Sequence, residues 1–137
     1  MDPSDTIVQT ALAHYPDVQA VYLFGSFGTG EERPDSDVDV GLLLPPGATR
    51  QHATLMRTPC HLALEALLEK SVDLVSLRRV ETVFQKEIIQ SNRRIYCADD
   101  YAADEFEMVA MSLYQKLNEE RREILEAFQR TGRAYNV

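Results

Sequence analysis

The sequence predicts a mixed α+β domain, in which helices cover a small sheet and a long helical segment follows. Two features predict this fold class: short apolar, β-branched runs alternate with segments of helical periodicity, and glycine or proline stands between many of them. The chain has 137 residues, of which 45% are hydrophobic, enough for one compact core. We expect a core over residues 1–98 and a helical extension of the same domain over residues 99–137.

The first half of the chain begins with a helix over residues 5–15, for which Ser4 or Asp5 is the expected N-cap. Residues 18–24 and 37–44 are apolar and β-branched, which is typical of buried strands. The first of these strands runs into Gly25-Ser26-Phe27-Gly28-Thr29-Gly30. Glycines so close together predict a tight turn whose backbone can approach a ligand.

A second helix is predicted to start after the N-cap Thr58, with Pro59 at its first position, and to end near residue 70. We assign its buried face to the apolar residues Leu62, Ala63, Ala66 and Leu67. Residues 72–77 and 94–97 are predicted strands, and residues 81–91 are a predicted helix between them.

Residues 100–130 predict one long helix, or two helices with a break. Their apolar positions recur at helical spacing, at Phe106, Ala110, Leu113, Leu117, Ile124 and Phe128. A domain this small has little core to cover such a length. Two interpretations therefore stay open: the stripe packs on the core, or its distal part is a surface for a partner or for self-association.

The formal net charge is −8, from 22 acidic and 14 basic residues, which argues against a broad surface for nucleic acid. The acidic N-terminus does not resemble a secretion signal, and no apolar run is long enough to span a membrane. Cys60 and Cys97 are too far apart in sequence for a zinc knuckle, and we expect two free thiols. These features together predict a cytoplasmic protein.

Three aspartates are the candidate chemical groups. Because side chains alternate along a strand, Asp37 and Asp39 should point to one face, where two carboxylates repel unless a cation lies between them. Mg²⁺ ions bridged by carboxylate and phosphate oxygens relieve such repulsion. Asp73 stands in an otherwise apolar strand, where a charge is costly to bury without a partner. Taken singly, each aspartate also fits a solvated strand edge.

Gly25 and Ser26 follow the first strand directly. A turn of this kind presents a hydroxyl and free backbone N–H groups, which can receive phosphate oxygens. Alone, the pair also fits an ordinary tight turn. Together with the three aspartates, it favours a site for divalent metal and a nucleoside triphosphate.

These motifs carry a family resemblance. The stretch GSFGTGEERPDSDVDV resembles the Gly-Ser-x10-Asp-x-Asp signature of the DNA polymerase β-like nucleotidyltransferase superfamily, and VDLVSL resembles the strand that bears its third carboxylate. The small size is similar to that of the minimal nucleotidyltransferases, in particular the MNT antitoxins of HEPN/MNT toxin–antitoxin pairs. The resemblance covers nearly the whole chain and implies a polymerase β-like core.

The resemblance also implies roles for the candidate residues. Asp37 and Asp39 would hold two Mg²⁺ ions, and Asp73 would bind one of them and help to deprotonate the attacking hydroxyl. Gly25 and Ser26 would contact the β- and γ-phosphates of ATP. The implied reaction is transfer of AMP from ATP to a tyrosine of a partner HEPN ribonuclease toxin, which is thereby neutralised.

One position departs from the family pattern. Members commonly have Gly-Ser-x-Ala-Arg-Gly, whereas Thr29 stands at the position of the arginine in this chain. Arg33 is the candidate substitute for the missing positive charge, and we include it among the nucleotide-binding residues. Two other functions stay open: an antitoxin that acts only by binding and occlusion, and a nucleotidyltransferase for a small hydroxylated molecule.

Overall fold

A four-stranded sheet lies between two pairs of helices in the computed structural model, which describes residues 2–27, 29–30, 37–47 and 53–131. The helices are α1 (Pro3–His14), α2 (Pro59–Leu68), α3 (Thr82–Gln90) and α4 (Asp100–Thr131). The strands are β1 (Ala20–Phe24), β2 (Val38–Leu43), β3 (Val72–Ser76) and β4 (Arg94–Cys97). The mixed α+β class predicted from the sequence is confirmed.

The strand order is β3-β2-β1-β4, with β1 antiparallel to β2 and β4, and with β2 parallel to β3. The end of β1 therefore lies beside the start of β2, where Phe24 pairs with Asp39. The start of β3 lies on the other side of β2, where Asp73 pairs with Asp39. The turn after β1 and the starts of β2 and β3 thus lie together at one end of the sheet.

Alternation along the strands divides the core between the two faces of the sheet. Val38, Val40 and Leu42 of β2 pack in the cluster that α1 and α2 cover. Leu43 packs in the other cluster, which α3 and α4 cover. Because Asp39 has the same parity as Leu43, its side chain points to the α3 and α4 face of the sheet. The same alternation places Asp73 on that face.

The first helix starts earlier than predicted. Its N-cap is Asp2, whose carboxylate accepts a hydrogen bond of 3.0 Å from the N–H of Ser4. The expected cap at Ser4 or Asp5 was therefore wrong. Pro3 explains the difference, because proline fits the first helical position, where its missing N–H costs nothing.

The buried face of α2 was also assigned wrongly, although its N-cap Thr58 was predicted correctly. Leu62 and Leu67 are 56% and 61% exposed, whereas His61 and Leu64 are buried. His61 faces the core because both ring nitrogens are satisfied there: Nε2 lies 2.8 Å from the carbonyl oxygen of Val72. Nδ1 accepts a hydrogen bond of 3.0 Å from the N–H of Arg57.

This orientation predicts opposite effects for two leucines of one helix. Leu64→Ala should lower the free energy of unfolding by about 2–5 kcal/mol, because it leaves a cavity in the core. Leu67→Ala is the matched control and should change it by less than about 0.5 kcal/mol. Chemical denaturation of both variants measures the difference. Equal losses would contradict the orientation of α2.

The long C-terminal pattern forms a single helix, α4. Its proximal part is anchored on the sheet: Ala103, Phe106 and Ala110 are buried. The hydroxyl of Tyr22 donates a hydrogen bond of 2.9 Å to Glu107, which also accepts one of 2.7 Å from Arg94. Beyond Ala110, five large apolar side chains are exposed, namely Leu113, Leu117, Ile124, Leu125 and Phe128. Among the described helices, none is both long and apolar enough to cross a membrane.

Candidate functional site

Three aspartates surround the start of β2. Asp39 and Asp73 are directly paired on neighbouring strands and share one face of the sheet, and Asp37 precedes β2 by one residue. Asp39 is partly buried, whereas Asp37 is exposed. Burial, followed by the negative charges of Asp73 and Asp37, raises the pKa of Asp39 to about 6. The structure therefore brings the three predicted carboxylates into one electrostatic cluster.

Gly25 makes room for the central carboxylate. Its φ is +72°, a left-handed conformation that favours glycine. A Cβ atom at this position would lie 2.0 Å from Oδ2 of Asp39. The strand end therefore lies directly against the carboxylate cluster, and only a residue without a side chain permits this approach. The glycine turn and the aspartates form one site.

Ser26 presents unused polar groups at the same turn. Its carbonyl oxygen accepts hydrogen bonds from the N–H and the hydroxyl of Thr29, at 3.1 Å and 2.6 Å. Within the described ranges, the Ser26 N–H and hydroxyl have no hydrogen-bond partner. Both groups are suited to phosphate oxygens, which accept hydrogen bonds from backbone N–H and hydroxyl groups. Thr29 closes the turn and carries no charge.

An open cleft borders the turn. It has a volume of about 350 Å³ and is lined by Phe24, Gly25, Glu87, Ile88, Gln90 and Ser91. Phe24 also contacts Phe84 edge-to-face, with ring centroids 5.4 Å apart. The cleft therefore lies between Gly25 of the turn and α3.

Arg93, which the sequence analysis did not identify, contacts this turn. The guanidinium of Arg93 donates hydrogen bonds to the carbonyl oxygens of Gly25, at 3.1 Å, and of Phe27. The signal in the sequence was the pair Arg93-Arg94 at the start of a short strand, but its meaning depends on β4 lying beside β1. The predicted substitute Arg33 lies outside the described residues, as does Gly28.

Two basic side chains that follow β3 have structural partners. Arg78 donates hydrogen bonds of 2.6 Å to the carbonyl oxygen of Leu44 and of 2.6 Å to the side chain of Gln19. Lys86 bonds to Glu87 and lies over the ring of Tyr114. The cysteines Cys60 and Cys97 are free thiols, as predicted.

The family of the chain follows from a sequence comparison that agrees with this geometry. Residues 7–101 match the model of the family described as polymerase beta, nucleotidyltransferase. The match covers more than half of the chain and includes β1, β2 and β3 with the three aspartates. The chain belongs to this nucleotidyltransferase family.

Individual relatives and solved structures resemble this chain over most of its length. The protein adenylyltransferase MntA of Shewanella oneidensis is 29% identical over 121 residues, which are 88% of this chain and 83% of the relative. A chain in a crystal structure of a toxin–antitoxin with AMP-PNP has a TM-score of 0.72 and 25% identity, over 92% of this chain and 98% of that one. A chain from the tri-AMPylated Shewanella oneidensis HEPN toxin in complex with MNT antitoxin has a TM-score of 0.66 and 25% identity, covering 93% and 96%.

Proposed function

We propose that this chain is an antitoxin that transfers AMP from ATP to a tyrosine of a partner HEPN ribonuclease toxin and so neutralises it. The observation that carries the proposal is the carboxylate pair Asp39–Asp73, set against a turn whose Ser26 N–H has no hydrogen-bond partner among the described residues, in a nucleotidyltransferase chain. The relative named a protein adenylyltransferase, and a matched complex that contains an AMPylated HEPN toxin, support this acceptor class.

The donor chemistry of the site fits divalent metal. Carboxylates are preferred ligands of Mg²⁺. Burial and the charges of Asp73 and Asp37 raise the pKa of Asp39, because its negative charge is unfavourable there without a cation. In the part of the chain that the structure describes, no group of three His, Cys, Asp or Glu side chains could hold a metal ion by itself. Phosphate oxygens of the nucleotide would therefore complete the coordination. Bound Mg²⁺ would neutralise charge on the attacking and leaving oxygens.

The residues of the chain itself have separable tasks in the reaction. Ser26 binds phosphate oxygens through its N–H and hydroxyl, which holds the triphosphate against the turn. The tyrosine oxygen attacks the α-phosphorus, a new P–O bond forms, and the bond to the β-phosphate breaks with release of pyrophosphate. Asp73 accepts the tyrosine proton, a role open to a partly exposed carboxylate beside the reacting centre.

Occlusion without catalysis is the alternative that Thr29 keeps open. The experiment that separates the two mechanisms measures neutralisation of the partner ribonuclease, with ATP and Mg²⁺ present or absent. We expect neutralisation that requires ATP and fails in the double variant Asp37→Asn/Asp39→Asn. Full neutralisation by the double variant, with equal binding of the partner, would establish occlusion instead.

We infer that residues 1–98 are the catalytic core and that the helical extension over 99–137 provides the partner surface. The proximal part of α4 packs on the sheet through Ala103 and Phe106, whereas the apolar side chains of Leu113, Leu117, Ile124 and Phe128 beyond it are exposed. We also propose a cytoplasmic location, because the two free thiols fit a reducing compartment.

Two substitutions that place a charge among the exposed apolar side chains of α4 test the proposed partner surface. Leu117→Asp and Ile124→Asp should weaken the complex with the partner toxin at least about tenfold, since a carboxylate in an apolar contact costs more than 1.4 kcal/mol. The matched control is Glu119→Gln on the same helix. Calorimetric titration measures binding, and the sedimentation of the chain alone measures self-association. Loss of self-association with unchanged partner binding would assign the stripe to a second copy of the chain.

A further inference from the structure

Arg93 stands behind the phosphate-binding turn. It lies between α3 and β4, and its carbonyl oxygen accepts a hydrogen bond of 2.9 Å from the N–H of Leu23. This backbone bond ties Arg93 to the last residues of β1. Its half-buried side chain then reaches the carbonyl oxygens of Gly25 and Phe27. One guanidinium therefore holds two carbonyl groups on either side of Ser26.

The hydrogen bond to Gly25 fixes the direction of the next peptide group. Because the described peptides are trans, the N–H of Ser26 points opposite to the carbonyl group of Gly25. Arg93 binds that carbonyl oxygen, so the Ser26 N–H points away from the guanidinium. This is the N–H group without a partner among the described residues. The contact thus orients a donor that phosphate can use.

Among the residues that the structure describes, no acidic side chain forms an ion pair with Arg93. Both acceptors are neutral carbonyl oxygens. Its neighbour Arg94 differs, because that side chain forms ion pairs with Asp104 and Glu107 at 3.3 Å and 2.7 Å. A guanidinium keeps its charge at every physiological pH and holds planar acceptors through a rigid fork of donors. Arg93 therefore brings a full positive charge to the turn.

We propose that Arg93 is the positioning residue of the triphosphate site: it orients the 25–27 turn and offsets the charge of the bound nucleotide. The inference rests on the proposed function in taking ATP as the nucleotide. It assigns to Arg93 the positive charge that Thr29 does not provide.

The test compares Arg93→Ala, Arg93→Gln and Arg93→Lys, with Arg94→Ala as the matched control. Arg93→Ala should raise KM for ATP about 10- to 100-fold, the range expected for charge-assisted hydrogen bonds, and should change kcat far less. Arg93→Gln retains a hydrogen-bond donor without charge and should resemble the Ala variant. Arg93→Lys retains the charge and should recover part of the affinity. Arg94→Ala should lower stability and leave KM unchanged.

Salt provides a readout that a purely structural role would not move. The ratio of KM for ATP between Arg93→Gln and the unmodified chain should shrink as ionic strength rises, because salt screens exposed charge. Unchanged KM in Arg93→Ala would overturn the proposal. So would equal changes in the Arg93→Ala and Arg94→Ala variants.

Binding of the non-hydrolysable analogue AMP-PNP with Mg²⁺, measured by calorimetry, separates this inference from the proposed function. If AMP transfer to the toxin is absent but Arg93→Ala still weakens analogue binding about tenfold or more, the inference stands and the proposed function falls. If Arg93→Ala binds the analogue as tightly as the unmodified chain, the inference falls regardless of transfer.

Discussion

Asp39→Asn is expected to reduce AMP transfer about a thousandfold, because the loss of metal-ion stabilisation of the transition state costs several kcal/mol. Asp39 is the central member of the cluster: it pairs with Asp73 across β2 and β3 and lies against Gly25. The amide has nearly the same shape but lacks the charge that a metal ion needs. Initial rates of labelled AMP transfer at saturating ATP and Mg²⁺ measure the effect.

Asp17→Asn is the control for this substitution, since Asp17 is exposed and lies in the turn before β1. It should transfer AMP at the rate of the unmodified chain. A rate for Asp39→Asn within about tenfold of that value corresponds to only about 1.4 kcal/mol and would exclude Asp39 as a metal-binding carboxylate.

The same substitution should stabilise the protein when metal is removed. Burial and the charges of Asp73 and Asp37 raise the pKa of Asp39 to about 6 in the folded state. A rise of this size in the pKa of Asp39 corresponds to about 2.7 kcal/mol, and partial exposure with solvent screening reduces the effect to about 1 kcal/mol. Denaturation with a chelator at pH 8 should therefore show Asp39→Asn to be more stable by about that amount.

The stability difference should depend on pH in one direction. Since the folded-state pKa of Asp39 is raised, its protonated form favours folding, and that contribution is lost as pH rises through about 6. Below the unfolded-state value of about 3.9, the unmodified chain and Asp39→Asn should be equally stable. The advantage of the variant should grow as the pH increases from there to about 6 and should level off above that value. A pH-independent difference would contradict the electrostatic cause.

Gly25→Ala is the second substitution with a large expected effect. A Cβ at Gly25 would lie 2.0 Å from Oδ2 of Asp39, and the φ of +72° adds strain for any residue with a side chain. The carboxylate must move, so we expect loss of at least about 99% of AMP transfer, since a small misplacement can cost about 100-fold. We also expect about 1–3 kcal/mol lower stability, from backbone strain with the added clash.

Substitutions at two other glycines separate the effect of backbone strain from that of the clash with Asp39. Gly30 also has a positive φ, +88°, but a Cβ there would meet nothing within 4 Å. Gly30→Ala therefore tests strain without the clash, and Gly47→Ala, which also meets nothing within 4 Å, tests the added methyl alone. Transfer lost equally in Gly25→Ala and Gly30→Ala would show that backbone strain, not the contact with Asp39, is the cause.

Local sequence patterns predicted the helices and strands well, because the formation of a helix or strand depends largely on neighbouring residues. The strand periodicity, the Thr58 cap and the single-residue alternation that places Asp39 on one face are all local properties. The prediction of the buried face of α2 was wrong because the burial of His61 depends on the carbonyl group of Val72, eleven residues away. Apolar character alone favoured Leu62 and Leu67, which are exposed.

The sequence predicted which residues form the candidate site, and their roles stay predictions; it did not show how the fold brings them together. The sequence placed Asp73 in a strand, yet only the parallel pairing of β2 and β3 brings it beside Asp39. Arg93 escaped notice because its contact with Gly25 spans 68 residues and requires β4 to lie next to β1. The role of Arg33 remains a prediction.

Transfer of the α-phosphorus of ATP is the central claim, and the position of the label tests it most directly. The purified chain is incubated with its partner HEPN toxin, Mg²⁺ and ATP labelled at the α- or γ-phosphorus. Label from the α-position should appear on a tyrosine of the toxin, with pyrophosphate released, and should be absent with Asp39→Asn. Label transferred from the γ-position, or none transferred while the toxin is neutralised, would contradict AMP transfer by this site.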